Sequence, residues 1–343
     1  VNPIRHLVVG PPQHGVTRHG AGIAAMHPYE VIRTQDAPAS AELPTDGLLH
    51  LHVTDRLFGS GPQEAAEAVL AIAAQRACSL TLHDLPQPSD GPTNHPRRAQ
   101  AYARMAAASV GVIVASEHEA GLLRAACELA GVKPVRIEVV PLPIDVLPLA
   151  DVAGAAARAA AVRPRQIGVL GFLYPGKGHD LALEACASCP ADVGLLALGR
   201  PSPGHEDLVE ELTARAEVLG RTFEISGYVP DDQLTDRLRS IAVPVAPHEH
   251  LSASGSIGSW IAAGRRPLVP SSAYVAELQA RNPQSVLEYG PDAPAGSPPS
   301  LREALQAALQ DPALTWLPPG TQVGPTSAEA AAAYAAILRR WAQ

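Results

Sequence analysis

The chain is short of lysine, cysteine, aromatic residues and charge, and each shortage removes a class of protein. Only Lys133 and Lys177 are lysines among 26 basic residues, and 34 acidic residues leave a net charge of −8. A surface of that sign does not coat a polyanion by counterion release, so no nucleic-acid partner is expected. Four cysteines in 343 residues, Cys78, Cys127, Cys186 and Cys189, are too few for a disulfide scaffold. Cys186 and Cys189 form a C-x-x-C, but no second close pair completes a four-ligand zinc site, and they read as buried, inert thiols. No run approaches the about 18 uninterrupted apolar residues of a spanning helix. The opening VNPIRHLVVG is too short and too soon interrupted for a signal peptide, so a cytoplasmic protein is expected. Aromatics make up 4% and charged residues 17%, so the 46% of hydrophobic residues that build the core are mostly Ala, Val, Leu and Ile. That composition is globular rather than disordered.

At 343 residues the chain is long for one core and suits two domains of about 150 residues each. Short β-branched runs alternate with Ala-rich helical stretches. Ile4 to Gly10, Leu48 to Thr54, Ser79 to Asp84, Gly111 to Ser116 and Arg136 to Leu142 read as strands buried on both faces. Helical candidates lie between them near Gly15 to Met26, Gln63 to Gln75, Arg97 to Ala108 and Glu117 to Ala130. This order predicts a parallel sheet wrapped by helices. After the Ala-rich stretch Leu147 to Arg165 the alternation starts again, with strands at Gln166 to Gly171, Val193 to Gly199, Thr222 to Gly227, Ala242 to Pro247 and Arg266 to Pro270. The expected fold class is therefore α/β, with two Rossmann-like doubly wound domains. We divide it into an N-terminal domain over 1–150, a linker over 151–164, a C-terminal domain over 165–322 and a last helix over 323–343. In that helix Thr326 and Glu329 form a capping box, and Tyr334, Ile337, Leu338 and Trp341 share one face. A Pro-rich stretch precedes it, so it is expected to cross back onto the first domain.

Three strands of the second half end in glycine, at Gly171, Gly199 and Gly227, where a ligand approaches the backbone in a doubly wound sheet. In GFLYPGKGHD, Gly171 to Asp180, Gly176 and Gly178 flank Lys177 between a strand and a helix. Such a turn offers amides and an ammonium to an anion at a helix N-terminus. The other 24 basic residues are arginines, so a lysine here suggests that a compact point charge is wanted. A second strand-to-helix segment, His248 to Pro267, concentrates Ser252, Ser254, Gly255 and Ser256, more small polar residues than N-capping requires. Two such loops in one domain point to a nucleotide diphosphate. The first domain has a glycine loop, Gly10 to Gly20, without the G-x-G-x-x-G order of a dinucleotide site. His50 and His52 share a face of one strand but have no third ligand spaced with them, so no metal is expected and His50 reads as a satisfied core residue. His83, at the end of its strand, is a functional candidate.

These segments resemble, in order and spacing, the GT-B glycosyltransferases, most closely family 4, the retaining enzymes that use nucleotide sugars. GVTRHG, Gly15 to Gly20, resembles the family's first glycine loop, and TLHD, Thr81 to Asp84, its histidine segment. VIVASEHE, Val112 to Glu119, and VVPLPID, Val139 to Asp145, resemble two recurring strands. GFLYPGKG resembles G-R-L-x-x-x-K-G, SGYVPDDQL, Ser226 to Leu234, resembles G-x-V-P-x-x-x-L, and Ala262 to Gly264 the helix that follows. Phe172 stands where the family has a diphosphate-binding Arg, and Leu251 and Ser259 replace its Glu-x7-Glu pair. Arg200, Arg265 or Arg266 could supply the lost guanidinium.

The resemblance implies two domains facing a cleft and transfer of a sugar from a nucleoside diphosphate to an acceptor hydroxyl, with retention and without metal or other cofactor. It implies Lys177 and His83 as catalytic residues. The donor would be held by Gly171, Phe172, Gly178, Gly199, Arg200, Gly227, Tyr228, Ser252, Ser254, Gly255, Ser256 and Ser259, and the acceptor by Gly15, Val16 and Asp84. The partners would be a nucleotide sugar and an acceptor, with base, sugar, acceptor and oligomeric state left open. A catalytically silent nucleotide-sugar binder and a GT-B-like epimerase or phosphorylase are the alternatives. Arg97 with Arg98 and Arg339 with Arg340 read as solvated helix faces, with weak contact to anionic lipid as the other reading.

Overall fold

The computed structural model describes residues 2–133 and 135–343; Val1 of the opening segment lies outside the described residues. The chain forms two compact units. One runs from the start of the chain to Pro143 and takes in Pro325–Gln343; the other is Ile144–Gly324.

The first unit contains strands β1 (Ile4–Val9), β2 (Glu30–Thr34), β3 (Leu48–Val53), β4 (Ala77–Leu82), β5 (Val112–Val114) and β6 (Ile137–Val139). They form one parallel sheet in the order β2-β1-β3-β4-β5-β6. Alternate residues face opposite sides of a strand, so each face can be read from the register. Leu7 and Val9, Leu49, Leu51 and Val53, and Cys78, Leu80 and Leu82 form one apolar face. It packs on the helices Pro62–Ala73 and Gly91–Ala107 through residues such as Val69, Ile72, Tyr102 and Met105. The opposite face is partly polar: His6 pairs with His50 and Ser79 in one row across β1, β3 and β4, and His52 with Thr81 in the next.

Two helices cover that polar face. Gly15–Ala25 lays Gly20 against His52, where a Cβ would come within 2.8 Å of the ring. The helix Ser327–Trp341 joins a second cluster, in which Tyr334, Ile337, Leu338 and Trp341 pack with Ile4, Ile23, Leu48 and Ile113. Its N-terminus carries the capping box: Glu329 N donates to Thr326 Oγ1 and Thr326 N to Glu329 Oε2.

The second unit holds β7 (Arg165–Leu170), β8 (Val193–Leu198), β9 (Phe223–Ile225), β10 (Val243–Val245), β11 (Leu268–Pro270) and β12 (Leu287–Tyr289), again all parallel, in the order β12-β11-β10-β7-β8-β9. That is the dinucleotide-fold order, with its switch point between β7 and β10. The Ala-rich stretch expected as a linker instead forms the helix Val152–Ala161, whose Ala155, Ala156 and Ala159 pack against Trp316. Small side chains on one face allow that close seat.

Strands β2 and β12 have no counterpart among the runs read from sequence. Both are edge strands, and an edge needs no long apolar run because one side is unpaired. The helix expected from Arg97 begins at Gly91 and runs through Pro96, which the rule that proline interrupts helices had placed outside it. All four cysteines are buried and free. Among the described residues no helix is long and apolar enough to cross a membrane.

Candidate functional site

β7 and β10 are neighbours whose connections leave in different directions, so the loops after them run side by side. The loop after β7 turns at Gly171 and again at Gly178, the N-cap of the helix His179–Cys186. Gly178 has φ +84°, and a Cβ there would stand 2.2 Å from the Pro247 carbonyl oxygen, so the two loops can touch only if this residue is glycine. Glu249 N donates to the Gly176 carbonyl at 3.2 Å and fastens the loops again.

Lys177 is thereby turned inward and is only 5% exposed. Its Nζ lies 2.5 Å from His248 Nε2 and donates to Ser256 Oγ at 3.2 Å. His248 Nδ1 faces the Ala246 carbonyl at 3.3 Å, which assigns the ring proton to Nδ1 and leaves Nε2 to accept from the lysine. Among the described residues no carboxylate forms an ion pair with Lys177. Burial lowers its pKa to about 7. Burial, and then the neighbouring Lys177, hold His248 well below the usual histidine range and bring His179 down to about 3.

Ser254 is the N-cap of the helix Gly255–Ala262; its Oγ accepts from Ile257 N and meets Ser256 Oγ at 3.0 Å. The first amides of such a helix have no intrahelical acceptor, and the helix dipole adds a positive field beside the lysine. Ser252 is buried in the same loop. The arrangement is a buried concentration of donors, suited to an anion with several oxygens.

Phe172, Gly199 and Arg200 flank this loop. The Arg200 guanidinium lies over the Phe172 ring, 5.6 Å from its centre, and Leu173 N donates to the Arg200 carbonyl. Gly199 passes so close to Gly171 that a Cβ would stand 2.0 Å from its carbonyl oxygen. Arg200 is exposed.

Several expected residues are used otherwise. Arg265 is fully buried, donates to the carbonyls of Leu238, Ile241, Ala242 and Thr315, and stacks on Trp316 at 4.2 Å. It ties strands and loops together and has no donor to spare for a ligand. Arg266 donates to the carbonyls of Leu314 and Val286. Leu251 lies in the apolar cluster with Ile257 and Ile261, and Ser259 Oγ donates back to the Gly255 carbonyl. Gly227 and Tyr228 follow β9, the edge strand two places from β7. His248 and Glu249 were not singled out from the sequence; the polar HEH directly after an apolar strand was the available signal.

In the first unit the switch point falls between β1 and β3. Gly15 and Val16 open the helix after β1, where His14 is the N-cap and its Nδ1 accepts from Val16 N at 3.3 Å. His83 and Asp84 follow β4. Asp84 has φ +52°, and its turn is held by Thr54 Oγ1 donating to its carboxylate and Arg98 Nη2 donating to its carbonyl at 2.6 Å. Tyr102 Oη donates to the His83 carbonyl. Arg98, which also pairs with Asp55 and Asp90, is therefore a tie for this corner, not a solvated arginine. Arg340 pairs with Glu138, Arg339 donates to the Ala335 carbonyl and Arg97 to Gln63.

The first unit also gathers histidines from four separate elements. His50 is satisfied on both nitrogens, by Ser79 Oγ and Thr81 Oγ1 at 2.9 Å each. His6 and His52 pack against it, and His19 and His83 pack against His52 and each other, with ring centres 4.9 to 6.1 Å apart. Burial keeps these rings uncharged, lowering His6 and His19 to about 3 and His83 to about 4.

No protein-family model and no curated protein matches the chain. Solved structures do. The chain is similar to HepE from Anabaena, solved in complex with UDP-glucose, at 17% identity and a TM-score of 0.67, covering all of this chain and 98% of that one. It is similar to sucrose-phosphate synthase from Thermosynechococcus elongatus at 18% identity and a TM-score of 0.67, covering 99% and 97%. The likeness establishes the fold: two Rossmann-like α/β units of the GT-B type.

Proposed function

We propose that the chain is a glycosyltransferase that moves a sugar from a nucleoside diphosphate to an acceptor hydroxyl. The observation that carries this reading is Lys177, a buried ammonium held by His248 and Ser256 with no carboxylate partner among the described residues, at the switch point of a dinucleotide-type sheet. A cation buried without a counter-charge is costly unless a ligand supplies one. HepE, of the same fold, was solved with UDP and with UDP-glucose, which makes a uridine diphosphate sugar the first donor to test.

Cleavage of the anomeric bond leaves negative charge on the departing diphosphate while the sugar becomes oxocarbenium-like. Lys177 and the amides opening the helix at Gly255 are fixed before the reaction begins, so they stabilise that charge without reorganising. Arg200, over Phe172, takes the place of the arginine that related loops carry one position after the glycine. In this reading the diphosphate's charge asks for no metal, its oxygen receives the acceptor proton on the same face, and configuration is retained. Glu249 supplies a carboxylate for the sugar hydroxyls in place of Leu251, which lies in the core. His83 orients a hydroxyl at the end of β4, and Gly15, Val16 and Asp84 serve the acceptor.

Thermal shift with UDP, GDP, ADP and dTDP, followed by release of nucleoside diphosphate from the matching sugar nucleotide, tests the proposal. One diphosphate should raise the melting temperature, and Lys177→Ala should abolish both shift and release. Absence of a shift with all four would reject the site. Loss of the carboxylate pair at Leu251 and Ser259 favours a second reading, a nucleotide-sugar binder without turnover. A clear shift with no release, with or without candidate acceptors, would select it.

A further inference from the structure

We propose that His19, His52 and His83 bind one divalent transition-metal ion of the zinc class. Each can present a ring nitrogen such that the three atoms lie within 4.8 Å of one another. They come from three elements of the first unit: His19 from the helix after β1, His52 from β3 and His83 from the turn after β4. The expectation of no metal rested on sequence spacing, which cannot show such a meeting.

His52 is the strongest sign of a missing ligand. It is 1% exposed, and both of its ring nitrogens are buried without a hydrogen-bond partner. His83 Nε2 is also buried and unpartnered. Buried polar atoms are normally satisfied, and here two neighbouring rings leave lone pairs pointing into one small region. The neighbouring His50 shows what a structural histidine looks like on this sheet, with one hydroxyl on each nitrogen. The alternative trio of His6, His50 and His52 is weaker, because His50 is committed and His6 Nε2 faces His27 Nδ1 at 3.0 Å.

Zinc–nitrogen bonds of about 2.1 Å in a tetrahedron set ligand atoms about 3.4 Å apart. Rotation of the His19 and His83 rings, which sit on a helix and a turn, can close the remaining distance around a fixed His52. Three neutral imidazoles select zinc, cobalt, nickel or copper over magnesium and calcium. Tyr334 Oη, 3.3 Å from His19 Nε2, is placed as an outer partner that orients the ring.

The test is independent of nucleotide binding, because all three ligands belong to the first unit. The full chain without a histidine tag, stripped with chelator, is titrated with Co2+ and read by its visible absorption. One equivalent should give an intense tetrahedral-type band that Zn2+ displaces and Mg2+ does not. His19→Gln and His83→Gln should each weaken binding by about 100-fold or more, while His6→Gln should leave it unchanged. Circular dichroism and thermal melting of each variant report folding, since replacing His52 itself could unfold the sheet. Absence of saturable binding at one equivalent, a band unchanged in His19→Gln and His83→Gln, or a band lost in His6→Gln would each overturn the assignment.

Discussion

The Lys177 ammonium and the His248 imidazole share one buried contact, Nζ to Nε2 at 2.5 Å, with the histidine's other nitrogen on the Ala246 carbonyl. The ring can accept from the lysine only while it is neutral, and burial together with the neighbouring ammonium keeps it so. The pair therefore holds one titrating proton on the lysine, at a pKa lowered by burial to about 7.

This sets two pH slopes of opposite sign. Unfolding returns Lys177 to its ordinary 10.5, so between about 7 and 10.5 the unfolded chain binds the extra proton, and this lysine's contribution makes the folded protein more stable as pH rises. An incoming diphosphate needs the ammonium, so its affinity should fall over the same range. Denaturation midpoints of wild type and Lys177→Met against pH read the first slope. Calorimetry in buffers of different ionisation enthalpy reads the second as proton uptake on binding.

His248→Gln should preserve nucleotide binding better than His248→Leu, because an amide oxygen can still accept from Lys177 Nζ while a leucine leaves the ammonium without that acceptor. The lost charge-assisted bond is worth about 1.5–3 kcal/mol, or roughly 10- to 100-fold in affinity. Equal affinities for the two variants would show that the histidine does not set the lysine.

Arg200 and Arg265 make an opposed pair. Arg200→Ala should weaken diphosphate binding by about 10-fold or more and leave the melting temperature near that of wild type, because its guanidinium is exposed over Phe172. Arg265→Ala removes donors from four buried carbonyls and should cost about 3 kcal/mol or more of stability. Chemical denaturation and nucleotide titration of both variants separate the two roles.

Leu338 has no exposed surface in the seam between the last helix and the first sheet. Leu338→Ala should destabilise the first unit by about 2–5 kcal/mol. Hydrogen exchange read separately on peptides of the two units checks this: the loss should appear in β1, β3 and β4, with β7 and β10 unaffected.

The parallel alternation was legible because strands buried on both faces are dense in Val, Ile and Leu, as in Leu48–Val53 and Val193–Leu198. Strands β2 and β12 were not, since Glu30 and Arg33 on one, and three residues in the other, leave no apolar run to find. Lys177 between glycines and the serines after β10 stood out by composition, and the strand order places them together. Arginine by itself says nothing of burial: Arg200 and Arg265 read alike in sequence, and only packing distinguishes a reaching side chain from a rivet. The histidine cluster was hidden for a related reason. His52 and His83 drew notice singly, but nothing local joins them to His6 and His19; the register of β1, β3 and β4 and the helix Gly15–Ala25 laid on that face make them neighbours.

The helix Ser327–Trp341 completes a sheet whose strands end nearly two hundred residues earlier in synthesis. The first unit therefore cannot be complete until the whole of the intervening unit has been made. Until that segment emerges, the histidine face has only the helix Gly15–Ala25 over it, and His19 and Thr81 lack the Tyr334 hydroxyl that later joins them.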